Sequence, residues 1–84
     1  MRIPLAVAVD NTASEHSTLL EISAEDRPGL LYTIASAISA DGCNIEVVLI
    51  DTQAHRAIDV FYITKGGRKL TQPESEALSA RISG

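Results

Sequence analysis

The sequence has 84 residues and a formal net charge of -4, with a pI near 4.9, which leaves room for one domain and supplies no basic patch for a polyanion. A hydrophobic fraction of 45% excludes a disordered chain, and an aromatic share of 4% supplies no base-stacking platform, so nucleic acid is not an expected partner. A domain this small buries only about 60–65% of its unfolded surface, so pairing with a second copy or a neighbouring domain would support it.

In chain order, Met1, Arg2, Ile3 and Pro4 lead into an apolar run over residues 5–9 that ends at Asp10. The run is too short for a signal-peptide core or a membrane span. No membrane association is expected. Leu5, Val7 and Val9 alternate with alanine, which predicts a short strand over 5–9. Residues 10–17 are polar and read as a loop. Leu20, Ile22 and Ala24 alternate with Glu21 and Ser23, which predicts a second strand over 18–24.

Asp26-Arg27-Pro28-Gly29 breaks that strand and opens a helix over residues 29–40. Its apolar stripe is Leu30, Leu31, Ile34, Ala37 and Ile38, and Gly42 is placed to stop it in a left-handed conformation. Residues 44–52 form a third strand, in which the unbroken run Val47-Val48-Leu49-Ile50 predicts cover on both faces. Gln53, Ala54 and His55 turn the chain into a fourth strand over 56–64. Gly66 and Gly67 make a flexible turn. Thr71 and Glu74 have capping-box spacing, and a short helix to about residue 82 would bury Ala77, Leu78 and Ile82. Two strands, a helix, two strands and a helix fit a two-layer α+β sandwich with both helices on one face of an antiparallel sheet.

Little in this chain suits catalysis. Cys43 reads as a small core residue; being the lone cysteine, it forms no internal disulfide, and a reducing cytoplasm is the expected compartment. His16 and His55 fall in separate loops without metal-ligand spacing. The stretch Gly66-Gly67-Arg68-Lys69 lacks the phosphate-loop pattern and reads as a solvated turn. The carboxylates Glu25, Asp26, Asp51 and Asp59 carry no sequence sign of convergence. No catalytic residue, metal or cofactor is expected.

The strand-to-helix junction at residues 25–31 carries more information. Unpaired amides and the positive end of a helix dipole meet there, and Gly29 lets a ligand approach the backbone, which suits a small carboxylate. An internal cap by Asp26, with Gly29 serving only a tight turn, fits the same residues, and both readings stay open.

The run Asp26-Arg27-Pro28-Gly29-Leu30-Leu31-Tyr32-Thr33-Ile34-Ala35, with Asp41-Gly42-Cys43-Asn44-Ile45 and Arg56-Ala57-Ile58-Asp59-Val60-Phe61-Tyr62-Ile63, resembles the ACT domains. The likeness is greatest to the C-terminal ACT repeats of bacterial bifunctional uridylyltransferase/uridylyl-removing enzymes, and it covers residues 5–82. It implies one ferredoxin-like regulatory domain over residues 1–84 that is no enzyme by itself. The implied ligand is glutamine or another small amino acid, bound where two ACT domains meet in a homodimer or a mixed pair. The ligand-contacting positions it implies are Asp26, Arg27, Pro28, Gly29 and Leu30, with Asn44 and Ile45 at the partner edge. A ligand-free structural dimerisation module is the alternative.

Two departures stand out. No nucleotidyltransferase or phosphohydrolase segment lies within the chain, and no strand follows the second helix, where the common ACT order has one. Residues 3–9 are therefore expected to fill that edge position, antiparallel to residues 18–24, so that the sheet keeps its spatial order with a permuted connection.

Overall fold

A computed structural model describes residues 4–84. Its elements are β1 (Ala6–Asp10), β2 (Thr18–Glu25), α1 (Leu30–Ala40), β3 (Asn44–Gln53), β4 (Arg56–Thr64) and α2 (Gln72–Ser83). The strands form one antiparallel sheet in the order β1-β2-β4-β3. The arrangement is the ferredoxin-like α+β fold expected of the sequence, with β1 in the edge position beside β2. Ile3, the start of that expected strand, lies outside the described residues.

Alternation decides which face is the core. Thr18, Leu20, Ile22 and Ala24 of β2 are buried, and so are Ala57, Asp59, Phe61 and Ile63 of β4. These residues pair across the ladder, Leu20 with Phe61 and Ala24 with Ala57. Leu30, Ile34 and Ile38 of α1 and Leu78 of α2 close over this face. Burying side chains of this size contributes about 1.5–3 kcal/mol each. In α2 the inward positions are Ser75, Leu78 and the half-buried Ile82, whereas Ala77, expected inside, faces solvent.

β3 differs from its sequence expectation. It is an edge strand, and Val47 and Leu49 are 45% and 52% exposed instead of being covered on both faces. Helices α1 and α2 cover one face of the sheet only, and a bulge between Ile45 and Val47 turns Val47 and Leu49 onto the other. One extra residue reverses the parity of the strand, so that Ile45 and Val48 both pack on the core although three positions separate them. The bulge residue Glu46 accepts a hydrogen bond from the Thr64 hydroxyl at 2.9 Å.

The helix ends follow local chemistry. α1 stops in a Schellman arrangement: the Gly42 amide donates to the Ser39 carbonyl at 2.9 Å and the Cys43 amide to the Ile38 carbonyl at 3.2 Å, with Gly42 at φ 79°. α2 starts in a complete capping box. The Thr71 hydroxyl accepts from the Glu74 amide at 3.3 Å, and the Glu74 carboxylate accepts from the Thr71 amide at 2.9 Å. The two helices are joined by an ion pair, Arg81 to Asp41 at 2.6 Å.

Candidate functional site

The junction from β2 to α1 is held in place from below. The Asp26 amide donates to the His55 carbonyl at 2.7 Å, which ties the end of β2 to the β3–β4 turn. Gly29 then takes φ 80°, a left-handed conformation that reverses the chain into α1. The Leu30 amide reaches the Arg27 carbonyl at 3.3 Å and the Thr33 amide reaches the Gly29 carbonyl at 2.9 Å. Between them the amides of Leu31 and Tyr32 find no acceptor among the described residues, and no side chain caps this end. The internal cap by Asp26 is therefore not made. The first turn carries no acidic residue either, so the positive end of the helix is left uncompensated.

This end opens into a cleft of about 380 Å³, within the range of small-ligand sites. Asp26, Arg27, Gly29 and Leu30 line it from the junction, Leu31 and Tyr32 from the helix, Ile50 and Thr52 from β3, and Ala57 and Asp59 from β4. Tyr32, 78% exposed, and Ile50, 60% exposed, stand at its mouth. Four of the seven positions named from sequence thus meet in one place. Pro28 shapes the turn without lining the cleft. Asn44 and Ile45 lie at the other end of β3, six and five residues from Ile50, which is roughly 17–20 Å along the strand.

Sequence reasoning missed Asp59. It is 3% exposed, on the core face of β4, and its Oδ1 has no hydrogen-bond partner among the described residues. Burial pushes its carboxyl above the ordinary carboxylate value, and the nearby Asp26 carboxylate pushes the same way. The available signal was parity: Ala57, Asp59, Phe61 and Ile63 share one face, so the alternation of β4 already put a charge among apolar neighbours.

The other chemistry-bearing residues stay apart. Burial raises the Cys43 thiol, which opposes thiolate formation. Gly66 and Gly67, at φ 62° and 75°, make a tight turn, and the Arg68 guanidinium that follows is engaged by both Glu74 oxygens at 2.9 and 3.2 Å. No helix among the described residues is long and apolar enough to cross a membrane.

A family model described as the ACR9-like, ACT-like domain matches residues 6–83. The chain belongs to the ACT-like domains. It is similar to a region of three bacterial proteins named bifunctional uridylyltransferase/uridylyl-removing enzyme. Identity is 42% over 87% of the chain with the protein of Gluconobacter oxydans, 51% over 79% with that of Phenylobacterium zucineum and 38% over 92% with that of Caulobacter vibrioides. The matched region makes up 7–8% of those relatives' length. This ACT-like domain therefore corresponds to a small part of much longer proteins.

Proposed function

We propose that this ACT-like domain is a non-catalytic sensor of a small free amino acid, glutamine first among them. Its response would control a uridylyltransferase according to nitrogen status in the cytoplasm. The observation that carries the reading is the uncapped N-terminus of α1, whose residues Leu31 and Tyr32 have unpaired amides and line a cleft of small-ligand size. A carboxylate placed there would accept those two hydrogen bonds and sit at the favourable end of the dipole.

Asp26, Arg27, Gly29 and Leu30 would contact the ligand, with Pro28 fixing the turn. Asn44 and Ile45 would reach a site only from a second ACT-like domain or a second copy of this chain, which makes the site a shared one. The exposed Val47 and Leu49 of β3 support such pairing, since exposed apolar side chains grouped on one strand mark an interface. Dimers in sedimentation velocity at tens of micromolar would fit self-pairing.

The deciding experiment is a thermal-shift screen of the twenty amino acids. At a concentration 100-fold above the dissociation constant, linkage adds about 2.7 kcal/mol, roughly 10 °C or more in melting temperature for a domain this small. A screen in which nothing shifts overturns sensing and leaves the ligand-free dimerisation module, which the same exposed β3 residues favour.

A further inference from the structure

We infer that Asp59 is the ammonium-binding residue of the cleft, and that it makes the domain selective for amino acids carrying a free α-ammonium group. The inference rests on the amino-acid reading above and goes beyond it in naming the group that is read and the residue that reads it.

Asp59 is out of place as a structural residue. Its partners across the ladders are Ile22 on β2 and Ile50 on β3, and its same-face neighbours along β4 are Ala57 and Phe61. None of these side chains can donate a hydrogen bond. Arg27, which lines the same cleft, makes no ion pair with it among the described residues, where the ion pairs are Lys65–Glu74, Arg68–Glu74 and Arg81–Asp41. A carboxylate that is 3% exposed and unpaired is unfavourable unless a cation or donor arrives from outside. The cleft is where one arrives, because Asp59 and Asp26 both line it.

The cleft therefore has two chemically opposite walls. One is the amide-rich end of α1, suited to an anion; the other is the Asp59–Asp26 pair, suited to a cation. An α-amino acid carries both charges on neighbouring atoms, and its ammonium offers three donors to acceptors that lack them. A divalent metal fits less well, since two carboxylates fall short of the roughly six oxygens that calcium or magnesium takes. No group of three or more ligating side chains gathers among the described residues.

The test is calorimetry on the chain with L-glutamine and its 2-hydroxy analogue, which replaces the ammonium by a hydroxyl at little change in size. If another of the twenty amino acids binds more tightly, that one and its hydroxy acid are used. The wild type should bind the amino acid at least about ten-fold more tightly than the hydroxy acid, which is about 1.4 kcal/mol. Asp59→Asn should weaken the amino acid by a similar factor and bring the two ligands to about equal affinity. An amino acid that binds wild type and Asp59→Asn alike, with the preference over the hydroxy acid intact, overturns the inference and leaves sensing standing. Should the variant not fold, equal affinity of wild type for the two ligands overturns it. If no amino acid binds wild type, both readings fall.

Discussion

Asp59 stands directly opposite Ile22 in the β2–β4 ladder, a carboxyl facing a side chain that can neither donate to it nor neutralise it. Burial, and then repulsion from Asp26, raises its carboxyl above the ordinary value of 3.8. The folded state therefore favours the protonated form. That contribution is fully present below about pH 3.8 and is lost as pH rises through the raised folded value. Asp59→Asn, which never ionises, should exceed wild type in stability at pH 7 by about 1 kcal/mol, roughly 4–8 °C in melting temperature. The difference should close on approaching pH 4. Thermal melts at both values check this, and a variant less stable than wild type at pH 7 would contradict it. A more stable variant that binds less tightly is the trade-off expected where a site stores an unsatisfied group.

The alternation of β2, the glycine stop after α1 and the capping box of α2 were each legible in sequence because each depends on residues within a few positions. The features that were not legible depend on partners far along the chain. Val47 to Ile50 read as a strand covered on both faces, since an apolar run does not reveal the bulge at Glu46 or an edge position. Asp26 read equally well as a helix cap; the geometry at Gly29 decides that it caps nothing, and φ 80° is invisible in the letters alone. Asp59 is the sharpest case. Its parity marks it as inward, but its lack of any partner follows only from the register that sets Ile22 and Ile50 beside it. Four of the seven positions named for the site converge because they are local to one turn, and Asn44 and Ile45 do not because β3 is long and extended.

Glu74 is the hub of the start of α2. It accepts from the Thr71 amide and from Arg68, whose guanidinium is the largest cause holding its carboxyl down to about 2 from the usual 4.5. Its stabilisation is therefore present above pH 4.5 and is lost as pH falls towards about 2. Urea midpoints of wild type should fall across that window, and Glu74→Gln should flatten the fall. Independently, Thr71→Ala removes the hydroxyl that caps the Glu74 amide and should cost about 1 kcal/mol at neutral pH. A Thr71→Ala midpoint equal to wild type would remove the capping box from any account of stability.

Gly29 separates backbone strain from ligand approach. At φ 80° an L side chain is strained, yet a Cβ there would meet nothing within 4 Å. Gly29→Ala should therefore cost about 1–2 kcal/mol, all of it conformational. Asparagine tolerates the left-handed region better, so Gly29→Asn should recover part of that loss while still placing a side chain at the helix end. Both variants should weaken L-glutamine in calorimetry. Full affinity in Gly29→Asn would move the ligand away from this turn.

Removal of residues 1–10 tests the permuted edge. β1 pairs with β2 through five register positions, from Ala6 opposite Ser23 to Asp10 opposite Leu19. Val7, opposite Ile22, packs against the core, and Leu5 helps line a small recess with Ile34 and Ile82. The next residue, Asn11, is anchored independently. Its side-chain Nδ2 donates to the Leu70 carbonyl at 3.0 Å, its side-chain oxygen accepts from the Thr18 hydroxyl, and its backbone carbonyl accepts from Lys69 at 2.7 Å. The truncation thus removes the strand, together with the Asp10 carboxylate that accepts from Thr12 and Ala13, while the anchors of Asn11 remain. It would leave β2 as an eight-residue edge with open amides and carbonyls, a template for association with other chains. Against a total stability of about 5–15 kcal/mol, losing the buried part of Val7 and one ladder should abolish a cooperative melt or drive aggregation. Val7→Asp keeps the strand's backbone and should lower stability without aggregation. A soluble truncated chain with a sharp melt near that of the full chain would show that β1 is dispensable and that the sheet does not need its N-terminal edge.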